Sequence, residues 1–280
     1  MSVVTHLTRR IMNDIKISVI MCSYNCGLYI REAIESILKQ TISCWELLIC
    51  DDSSSDNTWQ IIDQYMNKYP DHIHAVRNNQ NRRQGYSRNR CLRSARGKYV
   101  AIMDGDDRCS PDRLKKQYDF LESHAEFAFV GTAMSIFDEN GEWGESIPNP
   151  EVFPFDLARD SGFIAASCMF RKEILTSVGG YKADQHYFYV EDYDLFQRLY
   201  AKGYRGANLL EKLYQYREYR ETIRRRKMTN RLRGAMLSAR AVKMFHLPKY
   251  MYVHALNRVV IGLVPQRIYI FLHRTRRNIK

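Results

Sequence analysis

The chain has no apolar run long enough to cross a bilayer. A crossing takes ~20 consecutive apolar residues, and the longest candidate, Val259-Val-Ile-Gly-Leu-Val264 followed by Ile268-Tyr-Ile-Phe-Leu272, is interrupted by Pro265, Gln266 and Arg267. The first fifteen residues contain Arg9-Arg10 with no continuous apolar stretch behind them, so neither signal peptide nor anchor is expected and a cytoplasmic protein is. Cysteine pairs at metal or redox spacing are also missing. The seven cysteines (Cys22, Cys26, Cys44, Cys50, Cys91, Cys109, Cys168) include no CxxC and mostly sit in or beside apolar segments, which predicts free thiols and excludes a disulfide or zinc framework. The histidines, among them His72, His74, His124, His186 and His246, show no ligand spacing. Acidic residues are scarce in one region only. Residues 211–280 carry 18 Lys and Arg against 3 Glu, while residues 1–210 carry 25 basic and 28 acidic residues, so the net charge of +12 belongs to the tail.

What is present is enough for a sizeable core. With 280 residues, 45% of them apolar, the chain makes one large domain or one domain with an appendage, and disorder is excluded. Ile15 to Met21 reads as a strand, and Ile30, Ala33, Ile34, Ile37 and Leu38 then recur at helical spacing. The strand Glu46 to Cys50 precedes the cap-rich Ser53-Ser-Ser-Asp-Asn57 and a helix carrying Ile61, Ile62, Tyr65 and Met66. A short run at Ile73 to Val76, a helix near Ser87 to Ala95 and the strand Tyr99 to Met103 complete a β-α-β-α-β-α-β alternation. That order predicts an α/β fold, a mostly parallel sheet flanked by helices, whose ligands lie beyond the carboxyl ends of the strands. Further on, the pattern predicts a helix over Arg113–Ser123, a strand over Phe127–Phe137, a turn at Glu139-Asn-Gly141, a strand at Ser167–Phe170 and a helix over 191–202.

Three acidic groups close apolar segments: Asp51-Asp52, Asp104-Gly-Asp-Asp107 and Glu191-Asp192. Three carboxylates in four residues repel one another unless a cation offsets them, and hard ions such as Mg²⁺ and Mn²⁺ are commonly held by one or two carboxylates plus substrate phosphates. Read alone, each cluster is also a solvated turn or a helix start. Together, at strand ends, they point to a phosphate-bearing ligand.

Four ordered motifs carry a resemblance: Ile17-Ser-Val-Ile-Met-Cys-Ser-Tyr-Asn25, Glu46-Leu-Leu-Ile-Cys-Asp-Asp-Ser-Ser-Ser-Asp-Asn-Thr58, Gly85-Tyr-Ser-Arg-Asn89 with Ala95-Arg-Gly-Lys-Tyr-Val-Ala-Ile-Met-Asp-Gly-Asp-Asp107, and Val190-Glu-Asp-Tyr-Asp-Leu195 before Arg198-Leu199. Over residues 15–205 the chain resembles a family 2 glycosyltransferase with the GT-A, Rossmann-like fold. The resemblance implies inverting transfer of a sugar from a nucleotide diphosphate sugar, UDP by family habit, to an acceptor hydroxyl, with Mn²⁺ or Mg²⁺ as cofactor. It assigns Ser23, Tyr24, Asn25, Asp52, Arg88 and Asp104 to the donor, Asp104 toward the ribose and Arg88 toward the diphosphate. Asp106 becomes the metal ligand and Asp192 the base, with Asp107, Glu191 and Arg217 supporting or meeting the acceptor. In Tyr214-Gln-Tyr-Arg-Glu-Tyr-Arg-Glu-Thr222, Tyr219 stands where many relatives carry a His, and Arg217 remains available. Cys22 and Cys91 replace smaller residues and read as packing changes.

The expected organisation is an N-terminal extension (1–14), a catalytic domain (15–211) with a nucleotide-sugar half (15–110) and an acceptor half (111–211), and a basic, amphipathic, helical C-terminal region (212–280). Basic, aromatic helices suit an anionic membrane surface, each Lys or Arg contributing on the order of 1 kcal/mol. The sequence therefore predicts a peripheral protein on the inner face of the plasma membrane, with a glycan or glycolipid acceptor. Packing of the tail on the catalytic domain or on a dimer partner, its charges solvated, is the competing expectation. A nucleotidyltransferase using the same crevice, a sugar-nucleotide binder without catalysis, and a nucleic-acid binder acting through the tail are alternatives; the acidic front disfavours a polyanion, and no nucleic-acid motif is present.

Overall fold

The computed structural model describes residues 15–218 and 228–264. The expected extension 1–14, Tyr219 and the basic runs at 224–227 and 267–280 lie outside them. Four strands form one half of the sheet: β1 (Ile17–Ser23), β2 (Trp45–Asp51), β3 (Ile73–Arg77) and β4 (Tyr99–Asp104), parallel and in the order β3-β2-β1-β4. Every residue of β1 and β2 is buried, as expected for strands covered on both faces. Beyond β4 the sheet continues through β8 (Met169–Arg171), β6 (Phe127–Asp138), β9 (Arg205–Arg217) and the two-residue β5 (Arg108–Cys109), while β7 (Gly141–Ser146) pairs with β6. β6 and β9 share the direction of β1–β4, and β5, β7 and β8 run against it.

The helices between the parallel strands bury the positions that periodicity marks. α1 (Ile30–Leu38) buries Ile30, Ala33, Ile34 and Ile37, and α2 (Thr58–Lys68) buries Ile61, Ile62 and Tyr65. α3 (Gln84–Ser94) instead buries Ser87 and Arg88 beside Cys91 and Leu92. Burying a guanidinium in the second turn of a helix is costly without partners, so Arg88 requires charged neighbours. Core residues alternate between the sheet's faces, Ile17, Val19 and Met21 in one cluster and Ile20, Leu48, Val100 and Ile102 in the other.

The second half carries α4 (Arg113–Ser123), the short α5 (Asp156–Arg159), α6 (Lys172–Ser177) and α7 (Glu191–Ala201). An aromatic cluster fixes α7 on the sheet: Phe129 lies 5.0 Å from Phe170 and 5.4 Å from Phe196, with Phe163 4.9 Å from Phe196. The expected break between residues 211 and 212 falls inside β9, which pairs with β6 through Arg217. The change to basic composition begins in a strand that still belongs to the sheet.

After β9, α8 (Met228–Met244) and α9 (Tyr252–Leu263) form a helical hairpin that packs on α5 and α7. Arg240 Nη1 lies 2.7 Å from Asp194 Oδ1, Gln197 Nε2 donates to the Leu237 carbonyl at 2.9 Å, and Arg258 Nη2 donates to the Arg159 carbonyl at 2.9 Å. Packing on the catalytic domain, one of the two expectations for the tail, is therefore observed for α8. All seven cysteines are free, as expected.

Candidate active site

The parallel strands end level with one another. Ser23 pairs with Asp51 across β1 and β2, and Cys22 pairs with Asp104 across β1 and β4, so the acidic residues line one rim of the sheet. They do different work there. Asp51, fully buried, accepts from Ser54 Oγ, from the Ser54 amide at 3.2 Å and from Arg77 Nε at 3.0 Å, which folds the loop after β2 back on itself. Asp52 accepts the Arg82 and Arg83 amides, each at 2.8 Å, and Asn78 Nδ2 at 2.7 Å. It therefore holds the turn entering α3, where Arg83 adopts φ +69°. That turn exposes the side chains of Arg82 and Arg83.

Of Ser23, Tyr24 and Asn25, expected at the donor, Tyr24 is half exposed at the rim. Asn25, at φ +49°, accepts the Ser55 amide at 2.8 Å and donates its own amide to Ser54 Oγ at 3.0 Å. Ser23 is buried, and its carbonyl accepts the Asp52 amide at 2.8 Å. Ser23 and Asn25 thus hold the loop that follows β2.

Arg88 occupies the centre. Its side chain is 2% exposed, Nη2 lies 3.0 Å from Asp104 Oδ1, and Nη1 lies 2.5 Å from Asp192 Oδ1. Burial works against its charge, but Asp192 and Asp104 raise its pKa well above the usual value, so it stays cationic. The Tyr181 ring lies 5.2 Å from the guanidinium carbon, and Asn89 fixes Tyr181 by exchanging two hydrogen bonds with its backbone, at 2.7 and 2.8 Å. The arginine that the resemblance assigns to the diphosphate thus engages carboxylates through both terminal nitrogens, while Arg82 and Arg83, in the turn before it, are exposed. Gln84, which sequence reasoning missed, donates to the same Asp104 Oδ1 at 2.7 Å.

The Asp104-Gly-Asp-Asp107 carboxylates separate. Asp107 turns inward, accepting from Tyr214 Oη and the Arg217 amide, each at 2.7 Å. Burial, reinforced by Asp106 and Asp104, holds its carboxyl well above the usual range. Asp107 thus anchors the end of β9. Arg217 donates to the Asp106 carbonyl at 2.8 Å and to Glu32 Oε2 at 2.6 Å, and its guanidinium lies over Tyr29 and Phe137. It braces the loop, and no contact of these points toward an acceptor. Gly105 lets the turn close, because a Cβ there would lie 3.0 Å from Ile30 Cδ1 and 3.1 Å from the Cys22 carbonyl. Asp106 and Asp104 remain at the rim, both partly exposed. These are hard oxygen donors, fitting Mg²⁺ or Mn²⁺. Among the described residues no group of three or more His, Cys, Asp or Glu could hold a metal by itself, so an ion here would need substrate oxygens to complete its shell.

Glu191 and Asp192 open α7 as expected, with Asp194 buried behind them between Arg198 Nε and Arg240 Nη1, both at 2.7 Å. Asp192 faces the crevice with its side chain 26% exposed. Burial raises its pKa, and Arg88 opposes the rise. Glu191 is 5% exposed, and its Oε2 has no hydrogen-bond partner. Burial first, then the Asp192 charge, push its carboxyl up to about 7. The arrangement sets a partly exposed carboxylate and its arginine opposite a strand-end acid, which suits proton removal from a bound hydroxyl.

Comparison with known proteins agrees with this geometry. The Glycosyl transferase family 2 model matches residues 18–179. The candidate glycosyltransferase EpsE of Bacillus subtilis (strain 168) is 37% identical over 93% of this chain and 94% of its own. WfaP of Escherichia coli, a UDP-Glc:alpha-D-GlcNAc-diphosphoundecaprenol beta-1,3-glucosyltransferase, is 28% identical over 94% of this chain and 98% of its own. Among solved structures, S. aureus TarS (residues 1–349) in complex with UDP-GlcNAc superposes with a TM-score of 0.65 at 20% identity, covering 90% of this chain and 82% of the other. With matching fold, strand-end acids and full-length relatives, the chain belongs to glycosyl transferase family 2.

Proposed function

We propose that the protein is an inverting, divalent-metal-assisted glycosyltransferase that moves a sugar from a nucleoside diphosphate sugar to a hydroxyl of a lipid-linked or polysaccharide acceptor. Membership in the family replaces the nucleotidyltransferase alternative. The observation that carries the reading is the buried Arg88, which holds Asp104 at the donor strand end and Asp192 at the acceptor helix on one guanidinium. The nucleotide lies along the rim formed by Tyr24, the Asp52-held turn and Asp104, with Arg82 and Arg83 beside the diphosphate. Asp106, with Asp104, would hold Mn²⁺ or Mg²⁺. A bound ion supplies charge that stabilises the departing diphosphate without proton donation. Asp192 accepts the proton of the attacking hydroxyl, and its contact with Arg88 favours the ionised form against the effect of burial. Attack from the Asp192 side, opposite the leaving nucleotide, inverts the anomeric carbon.

UDP is the nucleotide favoured, because UDP-Glc stands in the name of WfaP and UDP-GlcNAc in the TarS complex. The WfaP name, with its diphosphoundecaprenol, also supports a diphospholipid-linked acceptor. The test is a screen of nucleoside diphosphate sugars for turnover with Mn²⁺ or Mg²⁺ and with chelator. We expect one UDP-sugar to be cleaved only when the ion is present. If none is bound or cleaved with either ion, the proposal fails.

A further inference from the structure

A surface helix of a globular protein turns its apolar stripe inward; α9 turns one outward. Leu263 is 72% exposed, Leu256 62%, Val253 53%, Val260 49% and Tyr252 43%. At ~100° per residue these five positions fall within an arc of about 100°, bordered by exposed Asn257, and no residue of α9 is buried. The opposite side rests on α8 and the catalytic domain. Built onto Gly262, a Cβ would lie 2.8 Å from Met228 and Arg231, and Arg258 lies over the Tyr193 ring at 5.1 Å. The hairpin is thus fixed to the helix that carries Asp192, with the apolar arc on its free side.

We propose that this arc is a lipid-docking surface that lays α9 in the headgroup region of an anionic membrane. The inference rests on the reading of a membrane-linked acceptor and assigns the contact to specific residues. At ~1.5 Å per residue, a helix of this length reaches about 18 Å, short of the roughly 30 Å hydrocarbon layer, and no helix among the described residues is long and apolar enough to cross. Lying in the interface is the arrangement that hides the arc without a crossing. Charge selects the occupant. No Asp or Glu follows Glu221, while 15 Lys and Arg do, and Lys249 and Tyr250 stand exposed just ahead of the helix. A second copy docked through this face would bring two such acid-free regions together with nothing to offset them. A nucleic acid would leave the apolar arc in water.

The experiment is co-sedimentation of the full chain with phosphatidylcholine vesicles, with and without phosphatidylglycerol, for the natural protein and for Leu256→Gln/Leu263→Gln. The double variant keeps every charge and changes only exposed side chains, so the melting temperature and donor turnover report that it folds. We expect the natural chain to bind the anionic vesicles and the variant to bind them at least tenfold more weakly. Equal binding by the two proteins overturns the assignment of the arc and leaves membrane attraction to the basic residues alone. Binding to neither vesicle overturns the lipid surface altogether, while transfer to a lipid-linked acceptor in detergent tests the acceptor reading separately. A dimer that the double substitution dissociates, without vesicle binding, identifies a second copy as the occupant; an arc that residues 265–280 cover shows as no vesicle binding and a lowered melting temperature in the variant.

Discussion

The rim of the parallel sheet and the outer face of the C-terminal hairpin dispose of charge and apolar surface in opposite ways. At the rim, Arg88, Asp52 and Asp107 are buried and matched partner to partner, and the apolar strands are enclosed on both faces. On α9 the apolar residues face outward, and its one arginine lies on the packed side over Tyr193. The rim owes its order to interactions within the protein, so its changes should cost stability and chemistry together. The outer arc contributes little to folding, so its changes should alter association only.

The largest effect is expected from Asp192→Asn, which removes the base and leaves the donor rim intact. Transfer should fall by ~10²–10⁴-fold, with donor affinity by calorimetry within about threefold of the natural protein; lost donor binding would move Asp192 out of the base role. Arg88→Met leaves two acids facing one another without their cation. Loss of one partner of a buried pair costs ~3–5 kcal/mol, and because both acids keep some solvent contact the unfolding free energy from denaturant titration should fall by the lower end of that range, about 3 kcal/mol.

Glu191 provides a pH test. Its folded pKa of about 7 lies above the ordinary value of 4.5, so the folded protein holds a proton that the unfolded chain releases. Its neutral form favours folding at low pH, and that stability declines as pH rises from about 4.5 toward 7. Glu191→Gln should remove this decline and raise stability at pH 8 by about 1–3 kcal/mol, read from urea unfolding at pH 5 and 8. An unchanged pH slope would contradict the buried, orphaned carboxyl. The smallest effect is expected on the hairpin: Arg258→Ala loses a hydrogen bond to the Arg159 carbonyl, worth about 1 kcal/mol, and should leave transfer to a water-soluble acceptor unchanged.

The parallel half was legible because β1, β2 and β4 are continuous apolar runs, as doubly covered strands must be. The acid positions were legible because they stop those runs. Their separate duties were not. Which carboxylate of Asp104, Asp106 and Asp107 turns inward depends on Tyr214 and Arg217, more than a hundred residues away. That Arg88 bridges to Asp192 was not legible, because nothing local shows that Asp192 will approach it from α7. β9 was hidden for another reason: its pairing with β6 shifts register at Thr132/Ala133 and Ala133/Met134, so Glu211, Lys212 and Gln215 break the alternation that marks a strand. The outward arc of α9 has a readable period, but the period does not tell which side meets the protein.

The claim common to the whole site is a single displacement across the Arg88 bridge, with Asp192 behind the acceptor and the diphosphate leaving opposite. Its most direct measurement is the anomeric configuration of the product, read by proton NMR from an α-linked nucleotide sugar. A β-linked product is expected. An α-linked product would contradict the single displacement and the role given to Asp192.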